Sequence, residues 1–318
     1  MPEVQAPVWL ILAAPLLELH LAWPRAVPHP VRLIGLLLDM LEVPARRLNN
    51  LKLAGAFSLL AILLAIGTAV EGLLSVRALS IVPALLLAFS GLALGELLRT
   101  GKQALFALES DEIAGNFTES RRQIGLLVSR DTSSMTAPEL RRALAETLAE
   151  NFNDAFAAPL FWLALGGPVG LWLYKTVSTM DSMWGYKTEA WKDLGMAGAR
   201  CDDLLAWVPA RLSALLLWMS SPGLALGGGW PGWSRIREQA GEMDSPNAGW
   251  PMAAASWLHG ARMGGPTPYF GQTVHKPELG AENALSWDNT GLDALLRHLH
   301  RAGLLSIALT ASVLHLLF

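Results

Sequence analysis

The sequence predicts an all-α fold: a polytopic integral membrane protein with about four to six membrane-embedded helices and a helical, loop-rich polar region of catalytic type. Three observations predict it. Of the 318 residues, 52% are hydrophobic and only 16% charged, against about 25% charged in soluble domains. The mean hydropathy is correspondingly positive, at +0.36. Leu53–Val70 and Ala78–Gly95 are each 18 residues without a charge, and Ala155–Tyr174 is a third such run of 20. At about 1.5 Å rise per residue, such a run makes a helix of roughly 27 Å or more, near the thickness of a hydrocarbon core. Several of them in one chain argue against a water-soluble fold with buried helices. Finally, residues 127–211 concentrate Asp, Asn, Lys and Arg in four blocks: LVSRDTSSM, ETLAENFNDAFAAPLFW, YKTVSTMDSMWGYK and ARCDDLLAWVPARL.

The elements follow in order. The opening MPEVQAPVWLILAAPLLELHLAW lacks a basic stretch and a small-residue cleavage site, so a retained helix is expected over about 7–22 rather than a signal peptide. Spans are expected at about 53–73 and 78–98, joined by a tight connection holding Arg77, and a C-terminal helix at about 303–318. The expected divisions are N-terminal membrane helices over 1–98, a catalytic region over 99–302 with two further apolar helices, and a C-terminal membrane helix over 303–318. Lys and Arg number five in 21–52 and seven in 99–154, which puts both segments on the cytoplasmic side. If 155–174 spans, DSMWGYK and ARCDD fall on the opposite side from RDTSS and SPNAGWP, and one site cannot use them all. Its central Gly166-Gly167-Pro168 also suits a re-entrant or protein-buried element, the arrangement favoured here. Segment 204–226 presents the same difficulty, with Pro209 and Arg211 inside it, and an ionisable residue in such a setting is a functional candidate by default. Thirteen tryptophans, among them Trp9, Trp23, Trp172, Trp207 and Trp218 near the ends of apolar runs, suit an interfacial belt or ordinary core packing.

One helix start is well marked. Thr136-Ala-Pro-Glu139 matches a capping box with proline in the first turn, so a helix is expected from about 137. It carries Arg142, Glu146, Glu150 and Asp154 at four-residue spacing, a single polar stripe. For Arg142 a solvated face is expected. For Glu150, Asn151, Asn153 and Asp154 it is not, because AFAAPLFW follows at once and draws this end into an interior, where carboxylates need partners, a metal or a task.

The usual motifs are missing. Gly95–Lys102 (GELLRTGK) has five residues between its glycines where a P-loop has four, and Gln103 where Ser or Thr belongs. All seven histidines lie outside the motif-rich part. The single Cys201 excludes an internal disulfide and a cysteine-based zinc cluster, and is expected to be a small buried side chain. The net charge of −3, with no basic stripe carrying interleaved aromatics, points away from nucleic acid. What remains is carboxylates, amides, lysines and arginines, which suits phosphate handling with a hard cation. Asp131, Glu150, Asp154, Asp181, Asp202 and Asp203 are the candidate ligands for magnesium. Arg130, Lys175, Lys187, Arg200 and Arg211 are the candidate clamps for phosphate or carboxylate. Asp202 and Asp203 lie about 100° apart on a helix, so only one of them need face a shared site.

These segments resemble the CobD/CbiB family, the adenosylcobinamide-phosphate synthases of cobalamin biosynthesis in the bacterial inner membrane. The resemblance is carried by HPVRLIG at 29–35, SRDTS at 129–133, ETLAENFNDAFAAPLFW at 146–162, YKTVSTMDSMWGYK at 174–187, ARCDDLLAWVPARL at 199–212, SPNAGWPMAAA at 245–255 and GGPTPYFG at 264–271. They cover nearly the whole chain in the family's order. Departures are Leu21-Ala22-Trp23-Pro24 where the family has Gly-Asp-Pro, Ala155 where it has glycine after the aspartate, and Met252 where it has an acidic residue.

The resemblance implies an amide ligation, with ATP and magnesium, of adenosylcobyric acid to an aminopropanol phosphate or ethanolamine phosphate. Asp131, Glu150, Asp154 and Asp181 would then hold magnesium and nucleotide phosphates. Lys187, Arg200 and Arg211 would offset charge on the transferred phosphoryl group, and Asp202 or Asp203 would take the ammonium proton. Arg130, Thr132, Asn151, Asn153, Lys175, Tyr186, Ser245 and Asn247 would bind substrate, the last two presenting donors to the amino alcohol phosphate. The lipid bilayer, and other late cobalamin-pathway membrane enzymes, are the expected partners. The rival is a non-catalytic scaffold or corrinoid-binding protein. The tryptophan-rich stretch Trp230–Trp257 would line a corrin ring or sit at the bilayer interface, the second being preferred.

Overall fold

The computed structural model describes residues 6–24, 26–75, 81–128, 130–224, 226–269 and 272–317. The Arg77 connection, Ser129, Phe270 and Gly271, singled out in the sequence, lie outside the described residues. In chain order come α1 (Val8–His20), α2 (Pro30–Arg46), α3 (Leu51–Leu74), α4 (Ile81–Gly91) and α5 (Leu94–Ala114). They are followed by α6 (Thr118–Gly125) and α7 (Ala137–Asn151), a π-helical turn (Phe152–Ala157) and α8 (Ala158–Trp184). Then come α9 (Met196–Leu205), α10 (Trp207–Ser220), α11 (Trp233–Glu242) and α12 (Gly249–His259). A hairpin of β1 (Met263–Tyr269) and β2 (Gln272–Leu279) and a long α13 (Asn289–Leu317) complete the chain. The all-α expectation holds, and the hairpin is the one addition the sequence did not announce: its glycines and prolines suggest loop. GELLRTGK lies inside α5 and is helical throughout.

Four helical stretches are long and apolar enough to cross a membrane: Leu51–Leu74, Ile81–Ala114, Ala137–Trp184 and Asn289–Leu317. The protein is therefore a multi-pass membrane protein. The chain forms two compact units, one of Met1–Ala93, Ala158–Ala206 and Ile307–Phe318, the other of Leu94–Ala157 and Trp207–Ser306.

In the first unit α3 shows why water is the wrong solvent. Leu53, Phe57, Leu60 and Leu64, at helical spacing, are each more than half exposed, while Ala54, Leu59 and Ile62 are buried. A helix apolar on its outward as well as its inward face belongs in lipid. Its inward face packs on α2, α8 and α9 at close range. A Cβ on Gly55 would lie 2.0 Å from the Leu194 carbonyl oxygen, and one on Gly91 would lie 2.5 Å from the Leu171 side chain. The α8 axis is broken at Gly166 and Gly167, the latter at φ +59°, with Pro168 resuming the helix. Glycine tolerates that left-handed conformation, and proline at a first helical position sacrifices no hydrogen bond. Trp172 is core here, its indole N–H donating to the Leu87 carbonyl at 3.0 Å. Cys201 is half-buried rather than buried.

In the second unit the capping box forms as expected. Glu139 accepts from the Thr136 N–H at 2.8 Å and its hydroxyl at 2.7 Å, and α7 starts at Ala137. β1 and β2 pair antiparallel, with a bulge between Met263 and Gly265. Gly264, at φ +77°, could carry no side chain, since a Cβ would sit 1.9 Å from the Pro277 carbonyl oxygen.

Gly55→Ala should destabilise the protein by about 1–3 kcal/mol, because the contact it meets is backbone and cannot swing away. Thermal unfolding in detergent checks this: an unchanged midpoint would mean that α3 shifts freely.

Candidate functional site

The second unit builds its polar centre along one stripe of α7 and the π turn. Glu146 is 1% exposed. Its Oε2 accepts from the Arg130 guanidinium at 2.7 Å and its Oε1 from the Gly264 backbone N–H at 2.7 Å, with Arg142 Nε 3.9 Å away. A carboxylate taken out of water is costly unless paired and hydrogen-bonded, and these groups meet that requirement. The expectation of a solvated Arg142 is corrected. Its side chain is only 19% exposed, and its NH2 group donates to the Pro266 carbonyl at 2.5 Å, because the hairpin covers this part of α7.

One turn further along, Glu150 lies within the fields of Asp154, Lys276, Arg130 and Glu146. The π turn, a form found mostly as single turns within α-helices and frequently at functional sites, then carries Asn153 and Asp154. Asn153 is buried, its amide N–H donating to Asp154 Oδ1 at 2.7 Å while its carbonyl accepts from the Ser213 hydroxyl at 3.0 Å. Asn151 donates to the Thr147 carbonyl and hydroxyl, at 2.9 and 3.0 Å. Arg211 lies between the Trp207 and Trp250 rings, 4.3 and 4.7 Å from their centroids, and donates to Asn247 Oδ1 at 3.0 Å. Such stacking holds a guanidinium while leaving its charge available.

Other predicted residues have local work. The Ser245 hydroxyl accepts the N–H groups of Asn247 and Ala248, at 3.3 and 3.2 Å, ahead of α12. Thr132 donates to the Arg121 carbonyl at 2.8 Å. The Asp131 carboxylate, which accepts the Ser133 N–H, titrates below its ordinary value for that reason.

The first unit holds a second charged set. Lys175 and Asp181 are on α8, Tyr186 and Lys187 follow it, and Arg200, Asp202 and Asp203 are on α9. Gly185 leaves room for the Asp181 carboxyl, whose Oδ1 would be 2.0 Å from a Cβ there. Burial pushes the Asp203 carboxyl above its usual range, and the charges of Arg200 and Lys187 pull it back in part. The four proposed magnesium ligands are thus divided, Asp131, Glu150 and Asp154 in one unit and Asp181 in the other. Among the described residues no group of three or more His, Cys, Asp or Glu is gathered into a ready metal cage.

Sequence reasoning missed Ser213, Lys276 and the anchoring role of Glu146. The four-residue spacing announced Glu146's stripe, whereas nothing local marks Ser213 or Lys276. It also missed a buried histidine pair. His298 Nε2 must donate to the Leu217 carbonyl, at 2.8 Å, which leaves its Nδ1 to accept from His259 Nε2 at 3.1 Å. Burial and the neighbouring ring lower the His259 pKa to about 3. The tryptophans of the Trp230–Trp257 stretch pack largely on other tryptophans: Trp230 stacks on Trp218 at 4.5 Å and Trp233 meets Trp250 at 5.5 Å.

The fold and these sets define a multi-pass helical membrane protein with a buried acid–amide–arginine centre. A model of the CobD/Cbib protein family matches residues 11–297, and the chain belongs to that family. It is 39% identical to the cobalamin biosynthesis protein CobD of Geobacter metallireducens, over 88% of this chain and 90% of that one. It is 36% identical to the CobD of Klebsiella pneumoniae, over 83% and 84%. It is 35% identical to the cobalamin biosynthesis protein CbiB of Salmonella choleraesuis, over 90% and 91%. No solved structure matches the chain.

Glu146→Ala leaves Arg130 and the Gly264 N–H without their acceptor and should cost about 3–5 kcal/mol, read as a lowered unfolding midpoint in detergent. An unchanged midpoint would show that the pair carries no structural weight. The histidine pair sets a pH dependence. Between pH 6.5 and about 3 the unfolded chain takes up a proton that folded His259 refuses, so stability should fall as pH drops through that window. His259→Gln should flatten the part of the slope that this side chain supplies, which unfolding scans over the same window would measure.

Proposed function

We propose that the chain is a membrane-bound acid–amine ligase of cobalamin biosynthesis. It would join the free propionate of adenosylcobyric acid to the amine of (R)-1-amino-2-propanol O-phosphate, or of ethanolamine phosphate, giving adenosylcobinamide phosphate. The observation that carries this reading is the family match over residues 11–297, with the centre around Glu150, Asn153 and Asp154 inside it. A carboxylate and an ammonium at neutral pH form an inert salt, so ATP with magnesium supplies the activation, by phosphoryl transfer to the carboxylate.

The donor set of the second unit fits that need. Magnesium takes one or two protein carboxylates and leaves the rest of its shell to water and phosphate oxygens. Glu150 and Asp154 are two such carboxylates, and the cations Lys276 and Arg130 act on Glu150. Asn153 fixes the Asp154 carboxylate from one side and is itself fixed by Ser213, so the oxygens need no reorganisation when charge develops nearby. In the first unit Asp202 or Asp203, the latter pushed above its usual range by burial, would take the proton from the ammonium. The abundance of Lys and Arg in 21–52 and 99–154 supports an orientation in the bacterial inner membrane with this chemistry on the cytoplasmic side. Other late-pathway membrane enzymes are the proposed protein partners.

The test is a ligation assay on the detergent-purified protein with adenosylcobyric acid, each amino alcohol phosphate, ATP and magnesium, read by product mass. Wild type should form product, and Asp154→Ala should lower the rate about a hundredfold or more while circular dichroism stays unchanged. Absence of product with either amine, from protein that still binds the corrinoid, would leave a scaffold or corrinoid-binding protein instead.

A further inference from the structure

α2 belongs to none of the four stretches able to cross a membrane, yet it carries four large apolar side chains on its surface. Leu33, Leu36, Met40 and Val43 are each more than half exposed. At about 100° per residue the helix sorts its side chains into three separate arcs. Ile34, Leu38 and Ala45 are buried and fall within about 40° of one another; they mark the side that packs on α3 and α8. The four exposed apolar residues occupy a second arc of about 80°. Arg32, Asp39, Glu42 and Arg46 occupy a third, also of about 80°. A helix on the surface of a soluble domain needs two faces, one apolar towards the core and one polar towards water. α2 has those two and a further apolar face that opens outward.

We propose that α2 lies in the plane of the membrane at its surface, with Leu33, Leu36, Met40 and Val43 seated in the acyl boundary and the charged arc in water. Continuity with the lipid face of α3 identifies the occupant. The exposed apolar row of α3 starts at Leu53, just after the 47–50 connection, so one apolar surface passes into the next. The corner between the helices is polar, as a headgroup layer requires. Arg47, Asn49 and Asn50 are exposed, and Lys52 pairs with Asp193 at 3.6 Å with both side chains half-exposed. Charge placement fixes the direction of the axis. Arg32 stands near the start of α2, Asp39 in its middle and Arg46 at its end. A transverse α2 would carry the exposed Asp39 through hydrocarbon, whereas an in-plane one keeps every charge at the water side. The arc holds two positive and two negative groups, so apolar contact rather than attraction to anionic lipid seats the helix.

The same geometry sets the depth of the charged set in the first unit. A Cβ on Gly35 would lie 3.5 Å from the Met183 sulfur. Arg46 donates to the Ala190 carbonyl at 2.9 Å and lies 4.3 Å above the Trp191 ring. α2 therefore clasps the end of α8 and the segment after it, and holds Asp181, Tyr186 and Lys187 at the membrane surface.

The experiment is nitroxide scanning of the full-length protein in phosphatidylcholine bilayers, on a Cys201→Ser background. Single labels are placed through Arg32→Cys, Leu33→Cys, Leu36→Cys, Asp39→Cys, Met40→Cys and Val43→Cys, with Phe57→Cys on α3 as the deep reference. Relaxation by oxygen is compared with relaxation by a water-soluble nickel chelate. All six α2 positions are exposed, so the labels leave its packing intact. Labels at 33, 36, 40 and 43 should favour oxygen and report one common depth, about 5–10 Å into the headgroup and acyl boundary, shallower than the label at 57. Labels at 32 and 39 should favour nickel. Adding phosphatidylglycerol should leave the depths unchanged. A depth that changes steadily from 33 to 43 would overturn the proposal in favour of a transverse helix. Nickel access at every position would place α2 in water. Shielding from both reagents, with dipolar broadening between labels, would assign the face to a second copy of the chain. Seating that appears only with phosphatidylglycerol would overturn the apolar basis of the contact.

Discussion

A carboxylate buried in a low-dielectric interior must be surrounded by donors, and Glu146 imposes that condition on the whole second unit. Its two oxygens are met by Arg130 from the segment before α7 and by the Gly264 N–H from the hairpin. Arg142 stands behind them. The bulge glycine is part of the same solution, because only a residue without a Cβ can turn its N–H this way beside the Pro277 carbonyl. The next member of the stripe, Glu150, lies in the fields of Asp154, Lys276, Arg130 and Glu146 together. A structural ion pair and a candidate reactive centre are successive turns of one helix.

The first unit answers to a different solvent. With lipid outside, burial of apolar area cannot hold helices together, so close approach of backbones must. Gly55 against Leu194 and Gly195 against the Trp184 carbonyl are contacts of that kind. The broken α8 adds a second device. At Gly166 and Gly167 the chain leaves helical geometry and resumes with Pro168, which has no N–H to be left unsatisfied.

Much of this was legible because it is local. Charge-free runs, the Thr136–Glu139 capping box and the helical spacing of Glu146, Glu150 and Asp154 each depend on residues within a few turns of one another. What escaped depends on distant partners. Arg142 looks like a solvent-facing residue until β1 covers it. Ser213 and Lys276 acquire meaning only beside Asn153 and Glu150. The π turn is a choice among helical hydrogen-bond patterns that Phe152–Ala157 does not advertise, and Gly264-Gly265-Pro266 resembles a loop until Lys276 and His275 pair with it. His259 and His298, 39 positions apart, carry no common signature. The resemblance of whole segments to a family supplied what local physics could not, the chemistry to expect, though it could not say which polar groups the chain uses for itself.

The distance along the chain between Glu146 and Gly264 has a consequence for biogenesis. The two are separated by 118 positions, and ribosomes add about 5–20 residues per second. Glu146 therefore waits roughly 6–24 s after its own synthesis before its last donor exists, while apolar segments on either side of it are already entering the bilayer. During that interval Arg130 is the partner at hand, 16 positions away and already made. The early pairing keeps the acid from being stranded as an unmatched charge, and the hairpin closes over it afterwards, so the order in which the donors leave the ribosome is the order in which the centre can be assembled.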